Sequence, residues 1–95
     1  MTRSFAAELA QDKILVNALC PGWVDTTMAH EGLRAFSEAL KISKEEAFEH
    51  AMNDVPLSKM SQPDEIAQFI AFLISNAQTS ITGQTLDINN GAMMP

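Results

Sequence analysis

The sequence predicts an α/β fold in which two parallel strands, joined through helices, form part of a larger sheet. Three observations predict it. Residues 14–20 (ILVNALC) are an apolar run whose alternate faces, Ile14, Val16, Ala18, Cys20 and Leu15, Asn17, Leu19, are both mostly apolar, as in a strand covered on two sides. Ile66, Phe69, Ile70 and Leu73 recur at i, i+3, i+4, i+7, the strongest helical signal in the chain. A short strand pattern, Thr85–Ile88, then follows and is broken by Asn89, Asn90 and Gly91. Strand, crossover and strand in that order make one right-handed parallel unit.

The remaining elements fall around this frame. Residues 2–10 read as a helix with Phe5, Ala6, Leu9 and Ala10 on one face, ended by the polar Gln11, Asp12 and Lys13. Pro21 closes the first strand, and residues 21–28 form a loop. Residues 29–53 are helical, with Leu33, Phe36 and Leu40 on one face. A capping box of Ser43 and Glu46 opens a second helix, with Ala47, Phe48, Ala51 and Met52 inward. Residues 54–62 are a connector containing Pro56, and Ser61 with Pro63 marks the next helix start. Residues 80–83 form a turn before the last strand. Two strands do not make a sheet that stands alone. An interior-type strand with one neighbour calls for another on its far side, supplied by another chain or by a longer polypeptide.

Composition narrows the function classes. The 95 residues hold one domain at most. At 46% apolar and 19% charged, the chain is ordinary for a globular protein and unlike a disordered one. A net charge of −6 and a pI near 4.6 argue against nucleic acid as a partner, since no Lys/Arg patch exists to displace counterions. The N-terminus MTRSFAAELAQDK lacks a signal-peptide core, and no stretch approaches the ~18 apolar residues of a membrane span. The lone Cys20 fits a reducing compartment, so a cytoplasmic location without membrane contact is expected. Cys20 has no identified base and reads as a small buried apolar residue. His30 and His50 read as surface histidines, and no spacing suggests a bound metal.

Chemistry is expected at the carboxyl end of the first strand, where open parallel sheets bind ligands. That position holds Cys20-Pro21-Gly22-Trp23-Val24-Asp25-Thr26. Gly22, without a Cβ, lets backbone approach a flat ligand. The main chain at Val24 could pair with an amide, and the Thr26 hydroxyl with an amide or phosphate oxygen. Pro-Gly after a strand is, taken alone, also a plain turn.

The wider pattern resembles the C-terminal part of the short-chain dehydrogenase/reductase family. The matching residues are Thr2-Arg3-Ser4 with Glu8-Leu9-Ala10, then Val16-Asn17, then Pro21-Gly22-Trp23-Val24-Asp25-Thr26. Pro56-Leu57, Gln62-Pro63-Asp64-Glu65-Ile66-Ala67, Phe72-Leu73-Ile74-Ser75 and Ile81-Thr82-Gly83-Gln84 follow in the family's order.

The resemblance implies a Rossmann-like doubly wound parallel sheet, of which this chain carries the last two strands, helices and the substrate lobe. It implies hydride transfer between NAD or NADP and a small-molecule alcohol or carbonyl. The cofactor-binding residues it assigns are Pro21 and Gly22, lining the nicotinamide pocket, Val24, whose backbone pairs with the carboxamide, and Thr26, bonding carboxamide or diphosphate. All 95 residues then belong to one NAD(P)-binding domain: residues 1–28 as helix end, strand and nicotinamide loop, 29–60 as substrate-lobe helices, and 61–95 as last helix and strand. The family's glycine-rich turn and its catalytic Asn, Ser, Tyr and Lys fall before Met1, and this chain has no tyrosine, so no catalytic residue is assigned and the chain alone is expected to be inert. At the far end the family's Asp-Gly-Gly is replaced by Asn89-Asn90-Gly91, a turn that Asn can sustain in the left-handed conformation. A homo-oligomer, dimer or tetramer, is the family's habit. The alternative, from a different class, is a non-catalytic interaction module that docks on a related subunit through its unpaired strand.

Overall fold

The computed structural model describes residues 1–94. In chain order it contains α1 (Thr2–Leu9), a 3-10 turn (Ala10–Asp12), β1 (Ala18–Pro21), α2 (Thr27–Leu40), α3 (Lys44–Met52), α4 (Pro63–Ile74) and β2 (Thr85–Ile88). The chain forms two compact units that interleave along the sequence. The first comprises Met1–Pro21 and Asp64–Ile88, and the second comprises Gly22–Pro63 with the segment that begins at Asn89.

The first unit is built on β1 and β2, which pair in parallel with Ala18 opposite Thr85 and Pro21 opposite Ile88. The Ala18 N–H donates to the Gln84 carbonyl at 2.9 Å, and Gly83 N–H donates to the Val16 carbonyl at 2.7 Å. In a parallel ladder the bonding residues alternate, so Val16, Ala18 and Cys20 face β2. The main-chain groups of Asn17, Leu19 and Pro21 therefore point to the other edge. Pro21 sits inside the strand, opposite Ile88, and does not end it one residue early. Its missing N–H falls on the unpaired edge, where no ladder bond is lost.

The strand is shorter than the apolar run. Residues 14–17 lie outside the strand proper and, besides the Gly83–Val16 main-chain bond, are fastened by side chains: Val16 N–H donates to Thr82 Oγ1, Asn17 Nδ2 donates to the Ile81 carbonyl, and Gln84 N–H donates to Asn17 Oδ1. Nor is the run covered on both faces. Ile14 is 47% and Leu15 37% exposed, and Cys20, expected to be buried, is exposed. The apolar composition reports the burial such a strand needs, and the described residues do not supply it.

The helices of this unit tell the same story. In α1 only Ala6 is buried, and Phe5 is half-exposed. The helix is followed by the 3-10 turn and by Lys13 in the left-handed conformation. Lys13 N–H donates to the Ala10 carbonyl and Ile14 N–H to the Leu9 carbonyl, a Schellman-like closure. α4 begins with Pro63 at its first position, as the sequence predicts. It buries no residue: Ile66, Phe69 and Leu73 are half-buried and Ile70 is exposed. Ile14, Leu15, Leu19, Ile70, Leu73 and Ile74 line an open groove of about 970 Å³ in this unit. Buried Gln78 ties the link from α4 to β2, donating to the Leu73 carbonyl and accepting from Ser80 and Ile81 N–H.

The second unit holds the pair of helices that the sequence predicts, α2 and α3, with a real core. Leu33, Met52, Val55 and Met60 form that core, with Ala29 and Ala51 against it, and Ala47 is fully buried. Phe36, Leu40 and Phe48, expected inward, are more than a third exposed; Phe36 meets His50 edge-on with ring centroids 6.4 Å apart. The period is helical, but the stripe that reaches the core is narrower than the apolar stripe. α2 stops at Lys41 in the left-handed conformation, and α3 is capped by Ser43, whose Oγ accepts from Glu46 N–H at 3.1 Å.

Candidate functional site

Of the residues singled out, Pro21 closes β1 in the first unit, while Gly22, Val24 and Thr26 lie in the second. Gly22 opens the loop with backbone pressed on backbone. A Cβ on it would stand 2.8 Å from Asn89 Cβ and 3.0 Å from Asn89 Cα. The absence of a side chain is thus required by Asn89, whether or not a ligand is near.

Val24 forms an isolated parallel bridge with Ser61. Ser61 N–H donates to the Trp23 carbonyl at 2.9 Å, and Asp25 N–H donates to the Ser61 carbonyl at 2.8 Å. In this geometry Val24 is the residue whose own N–H and C=O point away from Ser61. Among the described residues neither group has a partner, although Val24 is half-buried. One donor and one acceptor therefore stand side by side on a held backbone.

Thr26 is the N-cap of α2. Its Oγ1 accepts from Ala29 N–H at 3.3 Å, and its carbonyl accepts from His30 N–H. As an acceptor in the cap, the hydroxyl retains its own hydrogen to donate. Trp23, at 36% exposure, flanks the bridge without a ring partner among the described residues.

The loop is supported from the 89–91 turn. Asn90 has φ of 55°, and its Nδ2 donates to the Lys59 carbonyl and to Ser61 Oγ, both at 3.1 Å. Its own carbonyl accepts from Leu57 N–H. Ser61, only 2% exposed, is thus held from both sides. Gly91 has φ of 90°, a conformation that suits glycine, with Pro56 Cγ 3.0 Å from where a Cβ would be. The turn of Asn89-Asn90-Gly91 survives as the sequence predicts, and Asn90 gains a structural task that glycine could not perform. Replacing Asn90 with Ala should cost about 1–3 kcal/mol, through left-handed strain and two lost hydrogen bonds. A urea midpoint lowered relative to the unmodified chain, with unchanged slope, is the check.

Two participants have no role in the sequence-level reading: Asp25, which lies within the quoted loop, and His30. Asp25 accepts from His30 Nε2 at 2.5 Å and from Gln62 Nε2 at 3.1 Å. The His30 hydrogen bond, then that of Gln62, holds the Asp25 carboxyl below the usual carboxylate range. His30 is a surface residue as expected, but it is paired. The available signal was local: a carboxylate just before an N-cap and a histidine in the first turn after it. Among the described residues no cluster of three or more metal-ligating side chains occurs and no helix is long and apolar enough to cross a membrane.

Residues 1–93 match the family model described as enoyl-(acyl carrier protein) reductase. The chain is 35% identical over 94 residues to a 3-oxoacyl-(acyl-carrier-protein) reductase of Thermotoga maritima, covering 99% of this chain and 34% of that protein. A short chain dehydrogenase family protein of Francisella tularensis subsp. tularensis SCHU S4 superposes with a TM-score of 0.91 at 36% identity, over 97% of this chain and 38% of that one. An actinorhodin polyketide ketoreductase solved with NADPH gives a TM-score of 0.84 at 38% identity, over 96% of this chain and 35% of that one. The chain thus spans about a third of the length of the curated relatives it matches. Its two parallel strands and flanking helices are a piece of the Rossmann-like sheet of these neighbours. On the matched residues and the shared fold, the chain belongs to the short-chain dehydrogenase/reductase family.

Proposed function

We propose that this chain supplies the C-terminal, nicotinamide-side part of an NAD(P)-dependent oxidoreductase acting on an alcohol or carbonyl, with ketoacyl groups the favoured substrate class. The observation that carries the reading is the free N–H and C=O of Val24, adjacent on a backbone held by Ser61. A carboxamide offers the complementary acceptor and donor, so the donor set suits a nicotinamide of NAD or NADP. The Thr26 hydroxyl is free to donate to the carboxamide or to a diphosphate oxygen. Gly22 keeps the start of the loop close against Asn89, and Pro21 is assigned to the nicotinamide by the family resemblance alone. The chemistry supplied by a bound nicotinamide is hydride transfer to or from a carbonyl or alcohol carbon. Ketoacyl substrates are favoured because reductases of that kind are among the relatives, and residues 29–60 would form the lobe that receives them. The single cysteine supports a reducing, cytoplasmic setting.

The tyrosine that the family uses for proton transfer is not among these residues, for the chain contains no tyrosine. The 95 residues on their own are expected to give no NAD(P)H-linked turnover on a carbonyl panel. NADPH added to the isotope-labelled chain should shift the amide signals of Val24 and Thr26 more than those of α3. Turnover above background would refute the inertness, and an unmoved Val24 signal would refute the cofactor contact.

The bare edge of β1 and its apolar groove favour a second reading, in which the chain docks on a related subunit. Native mass spectrometry separates the two, since docking requires a defined hetero-oligomer.

A further inference from the structure

Asp25 is the most heavily engaged polar residue of the loop. Its N–H is bonded to Ser61, one carboxylate oxygen to His30 in the first turn of α2, and the other to Gln62 beside Ser61. Three segments of the second unit, residues 23–25, residues 61–62 and the start of α2, therefore meet at one side chain. The placement of His30 is otherwise hard to explain. A side chain able to carry positive charge stands in the first turn of a helix, where the dipole disfavours it, and Asp25 just before the N-cap supplies the compensating charge. Among the described residues His30 is the charged group that bears on the Asp25 carboxylate, and Gln62 the neutral donor.

We propose that His30 and Asp25 are positioning residues, which pin the 23–25 backbone between the start of α2 and residues 61–62 and so keep the free N–H and C=O of Val24 presented. The benefit to a cofactor rests on the reading of Val24 given above; the clamp itself does not. Both partners are partly exposed, at 46% and 37% for their side chains, so the effect is modest and local. The sign with pH follows from the carboxyl. The His30 and Gln62 hydrogen bonds hold that carboxyl below its ordinary value of 3.8, so its contribution to the clamp is present above 3.8 and is lost as pH falls through the lowered value.

The test is an NMR titration of the isotope-labelled chain, following the amides of Val24, Asp25 and Ser61 from neutral pH to below 3.8. In the unmodified chain the three signals should move together in the acid limb, with a shared midpoint below 3.8. His30→Ala should raise that midpoint and reduce the hydrogen-exchange protection of the Asp25 and Ser61 amides roughly two- to fivefold at neutral pH. Asp25→Asn should abolish the shared acid response. Methyl signals of Leu33 and Val55, unchanged in each variant, report that the core is intact. The clamp is refuted if His30→Ala leaves midpoint and protection as they were, if the response persists in Asp25→Asn, or if the unmodified chain shows no protection at these amides. If the clamp responses appear while NADPH leaves the Val24 signal unmoved, the clamp stands and the cofactor reading falls.

Discussion

Leu33→Ala is expected to unfold most of the second unit at denaturant concentrations the unmodified chain survives. Leu33 is 2% exposed and packs on Met52, Val55 and Met60, which with it make up the whole clustered core of that unit. Truncating a buried Leu to Ala costs about 2–5 kcal/mol, through lost transfer energy and the cavity left behind. Here the neighbours are two methionines and a valine, flexible enough in part to collapse into the space, which places the expected loss near the middle of that range. Against a total stability of about 5–15 kcal/mol for an ordinary domain, that is a large fraction. Leu33→Met, which keeps the volume, should cost under about 1.5 kcal/mol. Urea unfolding followed by far-ultraviolet circular dichroism checks both. Equal midpoints for the two variants would mean that this cluster does not stabilise the unit.

Gly22→Ala should be the next most damaging change, although it adds a single methyl group at an exposed loop position. That methyl would sit 2.8 Å from Asn89 Cβ and 3.0 Å from Asn89 Cα, both atoms fixed to backbone. No rotamer relieves such a contact, so the 22–26 loop or the 89–91 turn must shift, at about 1–3 kcal/mol. The shift also moves Val24 off Ser61, so NADPH-induced changes at the Val24 amide should be lost before stability is. Asn89→Gly in the same chain removes the nearer contact and leaves the farther one, and should restore part of the lost stability. Absence of any rescue would show that the cost of Gly22→Ala arises elsewhere.

Much of this arrangement is legible in the sequence, and the reasons differ by element. β2 emerges with its observed limits because Asn89-Asn90-Gly91 breaks it sharply, and α4 because Pro63 and a four-residue helical stripe agree. The cap at Ser43 depends on local chemistry and can be read residue by residue, whereas α2 begins at Thr27 on a Thr26 cap, two residues before the helical pattern predicts. Residues 14–20 are misjudged as one buried strand because apolar composition records the surroundings a segment requires, not those it has. The same holds for Phe36, Leu40 and Phe48, whose helical period is right and whose burial is not. The loop Pro21 to Thr26 stands out by residue type, but the orientation of Val24 depends on a bridge to Ser61, 37 residues away in sequence, which no local pattern encodes. Asp25 and His30 escape notice for a similar reason, since each is unremarkable until the other and Gln62 are seen beside it.

Pro21 has a consequence for whatever chain comes to lie along the outer margin of β1. Asn17 and Leu19 can both give and take hydrogens there, whereas Pro21, facing the same way, can only take one. An incoming ribbon is therefore matched along its middle and left with an idle carbonyl at its end.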